Sequence, residues 1–135
     1  MATTRSRRGD RAASERRHVG LTVPRQVKEQ LLEAAAALDW SAGDWVLAAA
    51  AEFGPQLHAA LGEVELRKRP RVEDAAFTAL YLTPDERDEL DDQAVACGLN
   101  RSAFVTSVSR LALGEEVAAV VEPLRVAAAG GPDPH

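Results

Sequence analysis

The stretch that decides the fold is HVGLTVP at residues 18–24, which returns as FTALYLT at residues 77–83. An offset of 59 residues, from 18 to 77, superimposes the two copies without a gap and also brings Trp45 onto Phe104. In each copy a short alternating run is followed by a charged helix start, an apolar stripe, a break and a second apolar stripe. A lone strand cannot satisfy its own backbone hydrogen bonds. The repeat therefore predicts two strand–helix–helix units whose strands pair with each other.

The alternation of apolar and other side chains in the two runs predicts half-buried strands, because a period of two places alternate residues on one face. We expect the inner faces to be formed by Val19, Leu21 and Val23 in the first strand and by Thr78, Leu80 and Leu82 in the second. The outer faces are then formed by His18, Gly20 and Thr22 and by Phe77, Ala79 and Tyr81.

Apolar residues at helical spacing follow the first strand and predict a helix that ends near Asp39. A second helix, capped by Ser41 or Asp44, is predicted to stop at Gly54-Pro55, since proline disfavours a helix interior. A third, short helix is predicted over residues 56–65. Trp40 and Trp45 are expected to belong to the core.

The second unit carries clearer helix signals. Thr83-Pro-Asp-Glu86 is the pattern of a capping box, with proline at the first helical position. Gly98 is a predicted C-terminal cap, Asn100 a predicted N-terminal cap, and Gly114 a predicted end. A further turn or two is predicted over residues 115–121, ending before Pro123.

Composition restricts the classes of protein that need consideration. The chain has 135 residues, 46% of them hydrophobic and only 4% aromatic. A single cysteine, Cys97, excludes an intrachain disulfide and a cysteine-based zinc site. The absence of 18 consecutive apolar residues predicts a cytoplasmic protein without membrane partners. No nucleophile–base arrangement, phosphate-cradling glycine loop or metal-ligand spacing is present, so we expect no enzyme, no metal and no cofactor.

The charge is distributed unevenly along the chain. The net charge is −5, yet residues 1–25 hold seven Arg against Asp10 and Glu15, a local charge of +5, which leaves −10 for the remainder. A second basic cluster separates the two copies. Two local basic patches allow an acidic protein to bind a polyanion, because local potential dominates at contact range. The residues of the predicted basic arm and linker are Arg5, Arg7, Arg8, Arg11, Arg16, Arg17, Arg67, Lys68, Arg69 and Arg71.

The order strand, helix, helix resembles the ribbon-helix-helix superfamily of Arc, MetJ and CopG type. HVGLTVPRQV at residues 18–27 is similar to the ribbon and first helical turn of Arc/MetJ-type repressors. The second unit carries the motif that is more specific for this superfamily, a Gly-x-Asn-Arg-Ser turn at residues 98–102. The resemblance extends over residues 17–52 and 76–114. It implies a mainly α protein with one short two-stranded antiparallel ribbon, formed by two tandem units in a single-chain pseudodimer.

The resemblance also implies a function, since in that family the ribbon enters the major groove of double-stranded DNA. Carried over to this chain, the outward strand positions that would read bases are His18, Gly20 and Thr22 in the first copy and Phe77, Ala79 and Tyr81 in the second. The helix N-termini that would bind phosphate are Ser41, Ala42 and Gly43, and Asn100, Arg101 and Ser102. The outward face offers no Arg, Lys, Asn or Gln, so phosphate contacts and the basic arm are expected to carry much of the affinity.

Three functions stay open at this stage. The first is a bacterial regulator of transcription or plasmid functions, associated with nucleoid or plasmid, with self-association along DNA left open. The second is a relaxosome or partition accessory protein with a relaxase partner, as in tandem members of the family. The third is an antitoxin-like interaction module with reduced DNA binding and a toxin partner.

The predicted organisation has five segments. A disordered basic arm covers residues 1–16, and the first ribbon-helix-helix unit covers 17–54. A short helix and basic linker cover 55–75, and the second unit covers 76–114. A short helix and disordered tail complete the chain over 115–135.

Overall fold

Two strands, one from each copy of the repeat, pair in the structure, and helices pack against one face of the pair. The computed structural model describes residues 16–61 and 74–128. In chain order the elements are β1 (Arg17–Pro24), α1 (Arg25–Ala37), α2 (Ala42–Leu61), β2 (Ala75–Leu82), α3 (Pro84–Ala96), α4 (Arg101–Ala112) and α5 (Val117–Ala128). The prediction of a mainly helical protein with one short antiparallel ribbon is therefore confirmed. Of the disordered arm predicted over residues 1–16, only Arg16 is described, and its Nη2 atom lies 3.5 Å from Asp44 Oδ1. The rest of the arm, residues 62–73 of the predicted short helix and linker, and residues 129–135 of the predicted tail lie outside the described residues.

The two strands form an antiparallel ribbon whose register runs from Arg17 opposite Leu82 to Pro24 opposite Ala75. Gly20 lies opposite Ala79 at its centre. The predicted inner faces are confirmed, because Val19, Leu21, Val23, Thr78, Leu80 and Leu82 are all buried. The two faces follow from the pleat, which sends successive side chains to opposite sides of the strand.

The core lies between the inner face of the ribbon and the helices. Phe104 in α4 and Leu31, Leu57 and Leu90 in α1, α2 and α3 are completely buried. Trp45 is buried as predicted, whereas Trp40 is only partly buried against the core. Helices from both units thus contribute to one core, which neither unit encloses alone.

Local sequence signals set the helix ends. Thr83 and Glu86 form the predicted capping box, with Thr83 Oγ1 accepting from the Glu86 N–H at 3.1 Å and Glu86 Oε1 accepting from the Thr83 N–H at 2.9 Å. A left-handed residue lies two positions past the end of each of α1 and α3, Asp39 (φ 61) and Gly98 (φ 74). Gly114 (φ 103) follows α4 in the same way. These are C-terminal caps of the Schellman type, which satisfy the last carbonyls of a helix.

The prediction that Gly54-Pro55 ends a helix is wrong, because α2 continues through Pro55 to Leu61. The separate short helix predicted from residue 56 is part of α2 as far as Leu61. Proline removes one helical hydrogen bond and costs about 3 kcal/mol in a helix interior. Leu57 and Leu61 are buried beyond it, and burying a leucine contributes about 1.5–3 kcal/mol. The residue before the proline is glycine, which has no Cβ for the ring to meet.

The predicted end before Pro123 is also wrong, because α5 runs through it to Ala128. Val120 and Val121 before the proline and Leu124 after it are all buried. The apolar stripe of α5 therefore crosses Pro123 without interruption. Packing on both sides of a proline compensates for the lost hydrogen bond here as it does in α2.

Candidate nucleic-acid interface

The outer face of the ribbon is the exposed surface that the sequence assigned to base reading. His18 and Thr22 are exposed, and Gly20 and Ala79 are half-buried. Tyr81 is 56% exposed. All five residues thus lie on the face that points away from the helices, as the alternation predicted.

Three aromatic rings gather on this outer face. The His18 and Phe77 rings are stacked, with centroids 5.8 Å apart and planes 21° apart. The His18 and Tyr81 rings meet edge to face at 5.5 Å. Phe77 is 59% exposed. Its backbone is paired with Thr22, at the end of the ribbon opposite to the His18–Tyr81 pair. Its ring therefore reaches diagonally along the ribbon.

The ring of Phe77 passes over Gly20. A Cβ added at Gly20 would lie 2.8 Å from Phe77 Cε1, so no larger residue fits there without moving the ring. The sequence placed Phe77 on the outer face among the strand positions that read bases in the family, but it gave no sign that the ring covers Gly20. The ring has room there because Gly20 and Ala79, two small residues, are paired at the centre of the ribbon.

The first turns of α2 and α4 pack on the backbone of the ribbon, each on the strand of the other unit. In α4, Ser102 Oγ accepts a hydrogen bond from the Thr22 N–H of β1 at 3.0 Å. In α2, Gly43 is buried, and a Cβ added there would lie 3.0 Å from the Tyr81 carbonyl oxygen of β2. Gly43 and Ser102 are equivalent under the 59-residue offset. Both predicted phosphate-binding helix N-termini are therefore held directly beside the ribbon.

Polar side chains at these N-termini already serve as caps. Ser41 Oγ accepts from the Asp44 N–H at 3.1 Å, and Asn100 Oδ1 accepts from the Ala103 N–H at 2.7 Å. Ala42 is half-buried beside Ser41. The caps leave backbone N–H groups of the first turn as the donors that a phosphate could use.

Arg101, the cation predicted at the second N-terminus, is paired with Asp91 of α3. Both carboxylate oxygens of Asp91 accept from the guanidinium, at 2.8 Å each, in a bidentate arrangement. The hydrogen bond from Arg101 holds the pKa of Asp91 below its usual value, and the same bond raises the pKa of Arg101. About a third of each side chain is exposed. Arg101 reaches a phosphate only by leaving Asp91 or by sharing its donors.

Other cations lie at both ends of the ribbon. Arg17 is exposed at the start of β1, and Arg16 Nη2 lies 3.5 Å from Asp44 Oδ1. At the opposite end, Lys28 Nζ donates to the Phe77 carbonyl oxygen at 2.9 Å. Arg25 pairs with Asp74 at 3.1 Å. The remaining predicted basic residues lie outside the described residues: Arg5, Arg7, Arg8, Arg11, Arg67, Lys68, Arg69 and Arg71.

Comparisons with protein-family models, with curated proteins and with solved structures find no match to the chain. Within residues 16–61 and 74–128, no cluster of three or more His, Cys, Asp or Glu side chains is arranged to hold a metal ion. None of the helices in these ranges combines the length and the apolar character that crossing a membrane requires.

Proposed function

We propose that this chain is a single-chain ribbon-helix-helix pseudodimer that binds double-stranded DNA by inserting its ribbon into the major groove. The observation that carries the proposal is the register of the ribbon. Gly20 lies opposite Ala79, and these two residues are equivalent under the 59-residue offset. A pseudo-two-fold axis through this pair relates the two units, as the two-fold axis relates subunits in a ribbon-helix-helix dimer.

The helices support the same symmetry. Shifting α1 (25–37) by 59 residues reproduces the bounds of α3 (84–96), and the first residue of α2 moves onto the first residue of α4. The contacts of Gly43 with β2 and of Ser102 with β1 are related by the same axis, because each second helix packs on the strand of the other unit. Two units that pair their strands and share one core correspond to a dimer joined into one chain.

The dimensions and charges of this surface suit a duplex. The major groove is about 12 Å wide and admits a two-stranded ribbon. Each ribbon strand is followed by helices whose N-terminal N–H groups lie beside the ribbon, where they can meet the phosphates that flank the groove. Exposed Arg17 adds positive charge at one end of the ribbon and Lys28 at the other. We propose that the protein acts as a regulator of transcription or of plasmid functions.

The experiment that tests this function is fluorescence-anisotropy binding to a random pool of duplex DNA at two salt concentrations, with sequencing of the bound fraction. We expect an enriched sequence and a steep decrease in affinity with salt, because phosphate contacts release counterions. Thr22→Ala combined with Tyr81→Ala should reduce the preference for the enriched sequence more than the affinity for random duplex. Equal losses on both DNAs would contradict base reading by these residues.

A matched control is Val95→Ala, which truncates a 74% exposed apolar residue late in α3. Val95 lies eleven residues past the start of α3, about 16 Å along the helix. We expect this variant to bind both DNAs as the unchanged protein does. A loss equal to that of the ribbon variant would mean that truncation of any exposed apolar side chain impairs binding.

A second candidate function is a protein-interaction module, favoured by the apolar character of the outer face. Phe77 and Tyr81 are large, exposed and adjacent to the small Gly20–Ala79 pair, and exposed aromatic clusters are common in protein interfaces. Failure to bind any duplex at low salt would overturn the first proposal and favour this one.

A further inference from the structure

We propose that the ribbon recognises thymine 5-methyl groups in the major groove, with the Phe77 ring as the specificity-determining contact. This inference rests on the proposed function and names the base feature that the surface reads. It starts from the aromatic cluster, which we define as His18, Phe77 and Tyr81.

The centre of the outer face has no hydrogen-bonding side chain. The central pair is Gly20 and Ala79, and the Phe77 ring covers Gly20. Among the features that base edges present in the major groove, the thymine methyl is the apolar one, and phenylalanine and alanine are residues that contact it. An apolar centre therefore favours thymine at the positions it covers and offers guanine, cytosine and adenine no partner for their donors and acceptors.

The cluster also makes the two ends of the ribbon different. The rings of His18 and Tyr81 lie on the pair at one end, and Phe77 extends toward them from the Thr22 end. Under the 59-residue offset His18 corresponds to Phe77 and Thr22 corresponds to Tyr81, so the pseudo-two-fold axis relates unlike side chains. The methyl contacts are consequently expected in one half of the site, which makes the preferred sequence non-palindromic.

The charges beside the cluster favour a duplex as the occupant of this face. Exposed Arg17 begins β1 at the end of the ribbon that holds His18 and Tyr81, and at the opposite end Lys28 donates to the Phe77 carbonyl oxygen. Cations at both ends of an apolar strip match a groove with phosphates on both sides. Stacking on unpaired bases would need open ring faces, whereas His18 and Phe77 already stack on each other.

The test uses the duplex selected in the anisotropy experiment, in a normal form and in a form with deoxyuridine in place of thymidine. This replacement removes only the methyl group and keeps the base pairing. We expect the full chain to bind the uracil duplex more weakly by about fourfold for each contacted methyl, which is the fold-change that burial of one such group contributes.

Two variants assign the effect to the ring. Phe77→Ala should lose most of the discrimination between the thymine and uracil duplexes, keeping only what Ala79 supplies, and it should fold normally because Phe77 is largely exposed. Gly20→Ala should lower the discrimination as well, since the new Cβ would lie 2.8 Å from Phe77 Cε1 and displace the ring. Val95→Ala should retain the full discrimination, and circular dichroism of each variant should match that of the unchanged protein.

Each outcome decides the inference. Discrimination that falls in Phe77→Ala supports it, and discrimination that stays undiminished in that variant overturns it. Equal binding of thymine and uracil duplexes by the unchanged protein overturns the inference and leaves the proposed function standing. Tighter binding to single strands than to duplex also overturns it. Failure to bind any duplex at low salt overturns both the inference and the proposed function.

Discussion

Replacement of Asp39 by glycine should stabilise the protein. Asp39 is the left-handed residue that closes α1, with φ 61, and its equivalent after α3 under the 59-residue offset is Gly98, with φ 74. The hydrogen bonds of the cap involve backbone only: the Asp39 N–H donates to the Ala36 carbonyl and the Trp40 N–H donates to the Ala35 carbonyl. Glycine can therefore replace Asp39 without loss of a cap hydrogen bond.

The expected change in the free energy of unfolding is the sum of two effects that favour glycine and one that opposes them. A left-handed conformation costs an L-residue roughly 1–2 kcal/mol, less for aspartate. A carboxylate at a helix C-terminus opposes the helix dipole, at an exposed position by about 0.3 kcal/mol. Glycine has more conformational freedom in the unfolded chain, which offsets about 0.4–1 kcal/mol. The sum predicts that Asp39→Gly raises the free energy of unfolding by about 0.5 kcal/mol.

Urea unfolding followed by far-UV circular dichroism measures this difference, with an unchanged slope in urea expected because the exposed surface area is the same. Asp39→Asn removes the charge and tolerates the left-handed conformation, whereas Asp39→Ala removes the charge and does not. We expect the order of stability glycine, asparagine, aspartate, alanine. The reciprocal change Gly98→Asp should lower the free energy of unfolding by a similar amount, about 0.5 kcal/mol.

The order of the four residues is the decisive result. If the Asp39→Ala variant has the same free energy of unfolding as Asp39→Gly, the left-handed conformation does not limit stability at this position and the reasoning is refuted. If Gly98→Asp is neutral, the two caps are not equivalent, and one argument for the symmetry of the two units is lost.

Phe104→Ala should lower the free energy of unfolding by about 3–5 kcal/mol in urea titrations, because the completely buried ring leaves a cavity; a loss under 1 kcal/mol would contradict its place in the core. Ser102→Ala should cost about 0.5–1.5 kcal/mol and speed hydrogen exchange of the Thr22 amide, since it removes the acceptor of that N–H; an unchanged exchange rate would argue against the contact. Asp91→Asn should cost about 0.5–1 kcal/mol at pH 7, the value expected for a pair that is one-third exposed. Because Arg101 lowers the pKa of Asp91 in the folded state, this advantage is present above about pH 4 and is lost as pH falls through the lowered pKa. A difference that persists unchanged to pH 2 would contradict that origin.

Signals that act within a few residues were predicted correctly. The inner and outer faces of the strands follow from alternation, and Thr83, Gly98 and Asn100 cap helices as expected, because each cap is formed by atoms of neighbouring residues. The local signal at Pro55 predicted a helix end and was wrong. Burial of Leu57 and Leu61 against other elements outweighs the lost hydrogen bond, and no local pattern contains that information.

The candidate site was predicted in outline. The alternation assigned His18, Thr22 and Tyr81 to the outer face, where the structure places them. It contained nothing about the Phe77 ring over Gly20, which depends on the register between strands more than 50 residues apart. It also contained nothing about the bond between Arg101 and Asp91, which depends on how α4 packs beside α3.

By itself the sequence determined the two-fold repetition, the strand faces and most helix ends, because backbone geometry and side-chain alternation act over one to four residues. Only the tertiary structure decided that α2 continues through Pro55, that Phe77 covers the centre of the ribbon and that Arg101 pairs with Asp91. These outcomes depend on which distant surfaces meet, and the free energy of burying Leu57 or of placing Asp91 against a guanidinium exists only once the chain has brought those partners together.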